Sequence, residues 1–407
     1  MKDFLLKIWK TPMFLIFVLI FVFLGLPALG KPAEIDRFAV VTALGIDIAD
    51  EEGYEVSLLT FIPVAEQSFT QNYKVVSSSG KTLAQAIDYA GLNLGKKIGL
   101  SHLRTIVLGD ELNSLDITNV LDFLTRDKEI SSSTKLISTT ENARDFLEAL
   151  QQLDSQSSLI VSEIVGSNKD YVYSTDSSLE TFFKGYFSPT KASLVPVFSL
   201  SEDGDGVAVS SQQTQGESQN ANASDGRKKI VNSGQTHLFK SGKLVTTLSG
   251  SDMQKLNYFK NDSAVGTITL ENFSDDEFEN ATLSFNVYDK KIRKRVVFEN
   301  GIPIVCLDVR LEVMLGEVEQ NDGMLDVDID THTLTKPISD AIEKKVRSEI
   351  ADAINIMRQS KTDAVDFYAL LHNSAKKNFQ RFLNSLDDKD DYLSSVIFKT
   401  TVKVHSR

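Results

Sequence analysis

From Ser201 to Gly226 the chain has no aromatic residue and no Leu, Ile or Met; Ser, Gln, Asn, Gly and Asp dominate. Such a stretch cannot bury enough apolar area to offset the entropy of ordering it. A flexible linker or long loop is therefore expected over residues 201–229, and it is a preferred place for protease nicking. It separates an N-terminal region over 33–200 from a C-terminal domain over 230–407. More than one core is also expected from the length of 407 residues, since single cores stop growing near ~250–300 residues. Two subdomains are expected within 33–200.

The start of the chain sets the compartment. Lys2, Lys7 and Lys10 precede a run without charge from Thr11 to Gly30, almost purely aliphatic and aromatic from Met13 to Leu26. A basic segment followed by an apolar one is an export signal. Twenty residues at ~1.5 Å per helical residue reach about 30 Å, enough to span a hydrocarbon core. Residues 1–31 thus read as a cleavable signal, ending at Ala28-Leu29-Gly30, or as an uncleaved anchor. Positive charge on the N-terminal side keeps that end in the cytoplasm, so everything after Lys31 is expected on the extracytoplasmic face. A single cysteine, Cys306, excludes a disulfide framework and suits a bacterial surface setting. The sequons at Asn222, Asn261, Asn272 and Asn280 are then chance matches.

Periodicity predicts mixed secondary structure. Strands are expected over Ile35–Ile48, Tyr54–Ile62, Tyr73–Val76, Leu103–Leu108, Lys135–Ser138 and Leu194–Leu200. Helices are expected from Thr82, with Gln85 completing a capping box, over Asp116–Thr125, and after Thr140 as a cap. Beyond the break, Lys240-Ser-Gly242 marks a hairpin between Gln235–Phe239 and Lys243–Leu248. Strands follow at Val265–Leu270, Ala281–Val287, Lys294–Phe298 and Val305–Leu315, the last alternating apolar and charged residues with period two. Two long helices, Ile338–Gln359 and Asp363–Leu386, and a strand over Val396–Val404 close the chain. The fold class is α+β: mixed and antiparallel sheets with helices packed on one face, in several domains, preceded by an N-terminal apolar membrane segment.

Candidate chemistry is sparse. The net charge of −13 repels phosphate backbones, which argues against nucleic-acid binding. Ser79-Gly80-Lys81-Thr82 resembles the end of a phosphate loop, but the glycine such a loop needs is Val75, so a strand-to-helix turn is expected. Gly204-Asp-Gly206 lacks a third glycine. Asp326, Asp328 and Asp330 alternate along one strand face and could hold a hard cation; without a glycine-centred loop they read as an exposed acidic face. His102 has no nucleophile motif to serve, and Cys306 reads as a small buried hydrophobe. The basic run Lys290-Lys-Ile-Arg-Lys-Arg295 reads as a solvated strand end or a contact for anionic lipid or wall polymer. No catalytic, cofactor-binding or metal residue is assigned, no cofactor is expected, and no enzyme activity is expected.

Several stretches, in order, are similar to the Ger(x)C family, the C subunits of spore nutrient-germinant receptors. They are Glu34-Ile-Asp36, Gly45-Ile-Asp47, Gly80-Lys-Thr-Leu-Ala-Gln-Ala-Ile87 and Ser101-His-Leu-Arg-Thr-Ile-Val-Leu-Gly-Asp-Glu-Leu112, then Val120–Asp127 and Phe239-Lys-Ser-Gly-Lys-Leu244. Two features depart from the family pattern. No lipobox cysteine follows Leu29-Gly30, so lipid attachment there is chemically excluded, and either the apolar run itself anchors the chain or the protein is released. The family's Ser-Asp-Ile-x-Gly-Phe-Gly stretch appears as Thr362-Asp-Ala-Val-Asp-Phe-Tyr368; both glycines are replaced, so helix is expected to run through. The resemblance implies three α/β domains and a non-enzymatic scaffold or signal-coupling subunit, anchored outside the inner spore membrane. It implies A-type and B-type membrane subunits as partners. The alternative is an exported solute- or cell-wall-polymer-binding protein.

Overall fold

The computed structural model describes residues 38–50, 52–62, 72–153, 173, 175–176, 178–202, 229–260, 266–276, 278–319 and 334–407, with Ile16, Leu19 and Ile20 of the apolar run. The rest of the expected membrane segment, nearly all of the expected linker, Asp326, Asp328, Asp330, Asn222 and Asn261 lie outside these residues. Among the described residues, no helix is long and apolar enough to cross a membrane.

The first sheet has nine strands. In chain order the elements are β1 (Phe38–Ile48), β2 (Tyr54–Ile62), β3 (Asn72–Gly80), α1 (Leu83–Leu94), β4 (Lys97–Gly99), β5 (Thr105–Leu108), α2 (Asp110–Asn113), α3 (Thr118–Arg126), β6 (Lys135–Thr139), α4 (Ala143–Leu153), α5 (Leu179–Tyr186), β7 (Ala192–Glu202), β8 (Lys229–Lys240) and β9 (Lys243–Ser249). The strand order is β3-β2-β1-β5-β6-β7-β8-β9, with β4 beside the start of β1. The middle strands β1, β5, β6 and β7 run parallel and the flanking strands antiparallel.

Contrary to the expectation of helices on one face, this sheet is covered on both. Leu44, Ile46, Ile106, Leu108 and Leu136 face α1, α3 and α5. Ala43, Val107, Ile137 and Phe198 face α4 through Ala143, Phe146, Leu147 and Leu150. The reason lies in the strands: all four residues of β5 are buried, the uninterrupted apolar run of a central parallel strand rather than the alternation of a half-exposed one.

β8 and β9 follow the break at 203–228 yet complete the first sheet. Their turn is the expected one, with Ser241 and Gly242 both at positive φ. A short helix missed by periodicity, α6 (Gly250–Asn257), follows immediately, started by a capping box between Ser249 and Asp252. Leu238 and Leu248 of this hairpin and Met253 and Leu256 of α6 join the second core, so the two sheets share packed side chains.

The second sheet is β10 (Thr267–Phe273), β11 (Ala281–Glu299), β12 (Ile302–Glu319) and β13 (Ile397–Ser406), in that order. β10 to β12 form an antiparallel meander and β13 lies parallel to β12. Helices α7 (Lys336–Gln359) and α8 (Phe367–Asn384) pack on one face. The two strand pieces expected over 281–298 are one 19-residue strand. Lys290 and Ile292 are buried within its basic middle, so the pleat continues where the polarity of the sequence had suggested an interruption. Its turn is Asn300-Gly301, both at positive φ, as two-residue hairpin turns require.

The helix expected to run through 362–368 does not. α7 stops at Gln359, and Asp366 takes the left-handed conformation, φ 60° and ψ 46°, while its side chain accepts from the Ala369 amide and caps α8. Asp is among the few side chains that tolerate this region. The turn therefore survives the loss of both glycines.

Candidate functional site

The resemblance motifs of the first sheet meet in space. Gly45 and Asp47 end β1, Gly109 ends β5, and both strand ends lie under the first turn of α4. A Cβ on Gly45 would come 3.0 Å from the Ala143 Cβ, and one on Gly109 would fall 1.9 Å from Asp47 Oδ1. The glycines are what lets the helix and the carboxylate seat together. Asp47 Oδ1 accepts the Ala143 amide at 2.7 Å and Oδ2 the Arg144 amide at 3.1 Å. Two amides that a helix N-terminus leaves unpaired are thus satisfied from another strand. Thr140, the expected cap, does not reach them; its hydroxyl donates to Glu141 Oε1. Burial pushes the Asp47 carboxyl above its ordinary value, and the two amides work in the opposite direction.

The neighbouring strand ends are tied similarly. Glu141 Oε1 accepts the Leu200 amide at 3.0 Å, and Oε2 accepts the Thr139 hydroxyl at 2.6 Å. Asn113 Nδ2 donates to the Thr139 carbonyl at 3.3 Å, and its Oδ1 accepts from Ser138 at 2.9 Å. In open sheets with parallel strands, ligands bind beyond these carboxyl ends. Here the polar groups are spent on one another, and the arrangement is a clasp between β1, β5, β6, β7 and α4. Asp47 was legible only as a motif letter, and Asn113 and Glu141 carried no local signal.

A second knot lies at the α7–α8 turn. Buried Asp363 accepts the Tyr392 hydroxyl, the Tyr368 amide at 2.8 Å and the Val365 amide at 3.3 Å. Burial holds its carboxyl above the ordinary range despite these donors. Lys294 of β11 lies over the Phe367 ring at 5.7 Å. Burial pushes its ammonium down, while Asp363 and Asp366 oppose that.

The remaining sequence candidates separate. Thr82 caps α1, accepting from the Gln85 amide, while Gln85 Oε1 accepts the Lys81 amide. A Cβ at Gly80 would sit 2.6 Å from the Ala86 nitrogen, so this turn packs a strand against a helix. These residues border a groove of about 520 Å³ lined by Tyr54, Lys81, Phe123 and Arg126. His102 is exposed and Cys306 half-buried. Asn272 and Asn280 both hold positive φ. Among the described residues no cluster of three His, Cys, Asp or Glu side chains could hold a metal.

The basic run is split by the strand period. Lys290, Ile292 and Lys294 turn to the helix-covered side, and Lys290 Nζ donates to the Asn257 carbonyl. Lys291, Arg293 and Arg295 lie exposed on the opposite side. There the register builds cross-strand rows. Val297, Ile304 and Ile397 form the row nearest the β11–β12 turn. Next come Arg295, Cys306 and Lys399, then Arg293, Asp308 and Thr401, then Lys291, Arg310 and Lys403, and finally Asp289, Glu312 and His405. Arg295 pairs with Asp308 at 3.0 Å and Lys291 with Asp289 at 2.9 Å. This is an unusual concentration of cations for a chain of net charge −13.

Two family models match in succession: the spore germination protein N-terminal domain over residues 31–200, and the spore germination B3/GerAC-like C-terminal domain over 234–407. Spore germination protein KC of Bacillus subtilis (strain 168) is 21% identical over 382 residues, covering 89% of this chain and 88% of its own. The putative spore germination protein YfkR of the same organism is 25% identical over 142 residues, covering 32% of this chain and 36% of its own. The crystal structure of the GerBC protein has the same fold, with a TM-score of 0.50 at 16% identity, over 89% of this chain and 96% of that one.

Proposed function

The chain belongs to the GerAC-like family of spore germination proteins, and from that premise we propose that it is the C subunit of a receptor for nutrient germinants. One observation carries the reading. Both family halves occur in order along nearly the whole chain, and the motif residues Gly45, Asp47 and Gly109 converge on one buried clasp.

In this reading the subunit is non-enzymatic. The acidic groups at the first sheet's carboxyl edge tie elements together, which supports a scaffold role. Its partners are the A-type and B-type membrane subunits. The apolar run of residues 11–30 holds it on the extracytoplasmic face of the inner spore membrane, in place of the missing lipid-bearing cysteine. The region over 33–200, the segment 201–229 and the region over 230–407 act as successive parts of one scaffold.

The test is co-purification. Tagged full-length protein extracted from spore membranes in mild detergent should bring down both membrane subunits, and labelled palmitate should not enter it. Recovery of wall glycan with neither subunit would replace the receptor reading by the binding-protein alternative.

A further inference from the structure

The open face of the second sheet changes character along its strands. At the β11–β12 turn, Val297, Ile302 and Ile397 are 49%, 43% and 45% exposed, an apolar rim around the buried Ile304. The next three rows hold Arg293, Arg295, Lys291, Arg310, Lys399 and Lys403 against one carboxylate, Asp308. The Lys403 ammonium turns towards Glu343 at 3.6 Å, and Arg295 and Lys291 are paired. Arg293, Arg310 and Lys399 form no ion pair among the described residues and are exposed. Only beyond them does the face turn acidic, at Asp289 and Glu312. Glu299, at the turn, is the carboxylate on the apolar end.

The geometry points to this face as a docking surface for an anionic phospholipid bilayer, with the Val297–Ile302–Ile397 rim entering the interface and Arg293, Arg310 and Lys399 meeting headgroup phosphates. Charge complementarity selects the occupant. An acidic protein surface would satisfy the cations but gives no reason for the exposed apolar side chains of Val297, Ile302 and Ile397 beside them. A bilayer offers both, hydrocarbon next to phosphate. Apolar side chains together with cations are the combination that gives stable peripheral attachment.

This inference rests on the membrane association proposed above, and the experiment separates the two. Full-length protein carrying Cys306→Ser and Ile302→Cys would be labelled at position 302 with a fluorophore. It would then be reconstituted in phosphatidylcholine vesicles with or without phosphatidylglycerol, each containing a lipid-borne quencher. Strong quenching is expected with phosphatidylglycerol, weak quenching without it. A label at Leu92→Cys, on the exposed side of α1 in the first unit, should stay bright in both. Each cation at an anionic surface contributes roughly a fivefold factor in partitioning. The triple variant Arg293→Gln, Arg310→Gln, Lys399→Gln should therefore reduce the face's bilayer association about a hundredfold, and the quenching should disappear. Protein that enters both vesicles but shows quenching independent of lipid charge, or unaffected by the triple variant, would overturn the docking face alone. Shielding of the label only when an acidic receptor subunit is added would assign the face to a protein instead. Failure of the full chain to enter either vesicle would remove membrane association as well.

Discussion

The first sheet is covered by helices on both faces and its strand ends are tied through Asp47, Asn113 and Glu141, whereas the second sheet is covered on one face and leaves a cationic face open. The strands of the second sheet carry more charged residues than those of the first, and their burial follows a different period. β5 buries every residue. β11 and β12 bury alternate ones over most of their length. A strand with period two must spend one face on something other than its own core. In the first sheet Gly45, Asp47 and Gly109 thus serve folding, and in the second a cationic face stays open.

If that contrast is right, substitutions in the first unit should cost stability and those on the open face should not. The largest effect is expected from Ile106→Asp. Ile106 is fully buried, and an unpaired carboxylate there should cost about 4 kcal/mol or more. Urea denaturation should find the variant largely unfolded. His102→Ala, at an exposed neighbour, should leave both the unfolding midpoint and the germination response close to wild type.

The clasp comes next. Asp47→Ala strands the amides of Ala143 and Arg144 and should cost about 1–3 kcal/mol. Gly109→Ala pushes a Cβ into Asp47 Oδ1 and should cost at least as much. Combining the two should cost less than the sum, because both remove the same seating; strict additivity in a double-mutant cycle would break the idea of a shared clasp.

Asp363 gives a pH signature. Its folded carboxyl titrates above the ordinary 3.8 because it is buried. The folded chain therefore binds this proton more readily than the unfolded chain. The resulting stabilisation is complete below 3.8 and is lost as pH rises through the folded value. Asp363→Asn carries no such proton. Between about pH 4 and neutrality, its urea midpoint should fall less, or rise more, than that of the wild type. Parallel pH profiles would contradict the assignment.

Much of this architecture was legible because it is written in local periodicity. Thr82 and Gln85, Ser241-Gly242 and the alternation of β12 each announce their element within a few residues. What was missed is non-local or conformational. Asp47 reaches its amides across 96 residues of sequence, and no local pattern marks Thr140 as an idle cap. The Thr362–Tyr368 stretch looked helical because its glycines were absent; Asp366 supplies the same left-handed turn at some strain and recovers part of it by capping α8. The continuity of β11 was hidden because Lys290 and Lys294 read as solvated, yet both are drawn inward by the strand period. Among the proposed surfaces, the basic run was visible as a cluster, but its pairing with Lys399 and Arg310 required the register.

Two smaller effects sharpen the comparison. Asp366→Ala keeps the left-handed strain and loses the cap, a cost of about 1–2 kcal/mol. Asp366→Gly trades cap for relief and should stay within about 0.5 kcal/mol of wild type. Smallest of all, Arg310→Gln on the open face should leave stability unchanged within about 0.5 kcal/mol. A larger loss would mean that this face is part of the folded core rather than a surface kept for docking.

The receptor assignment itself is tested most directly in spores. A strain lacking this chain, and lacking any redundant copy, should form spores and grow normally but lose or slow germination to one class of small-molecule nutrients. Restoring the wild-type chain should restore that response, and restoring Ile106→Asp should not. Spores without the protein that germinate at the normal rate with every nutrient tried would contradict the account.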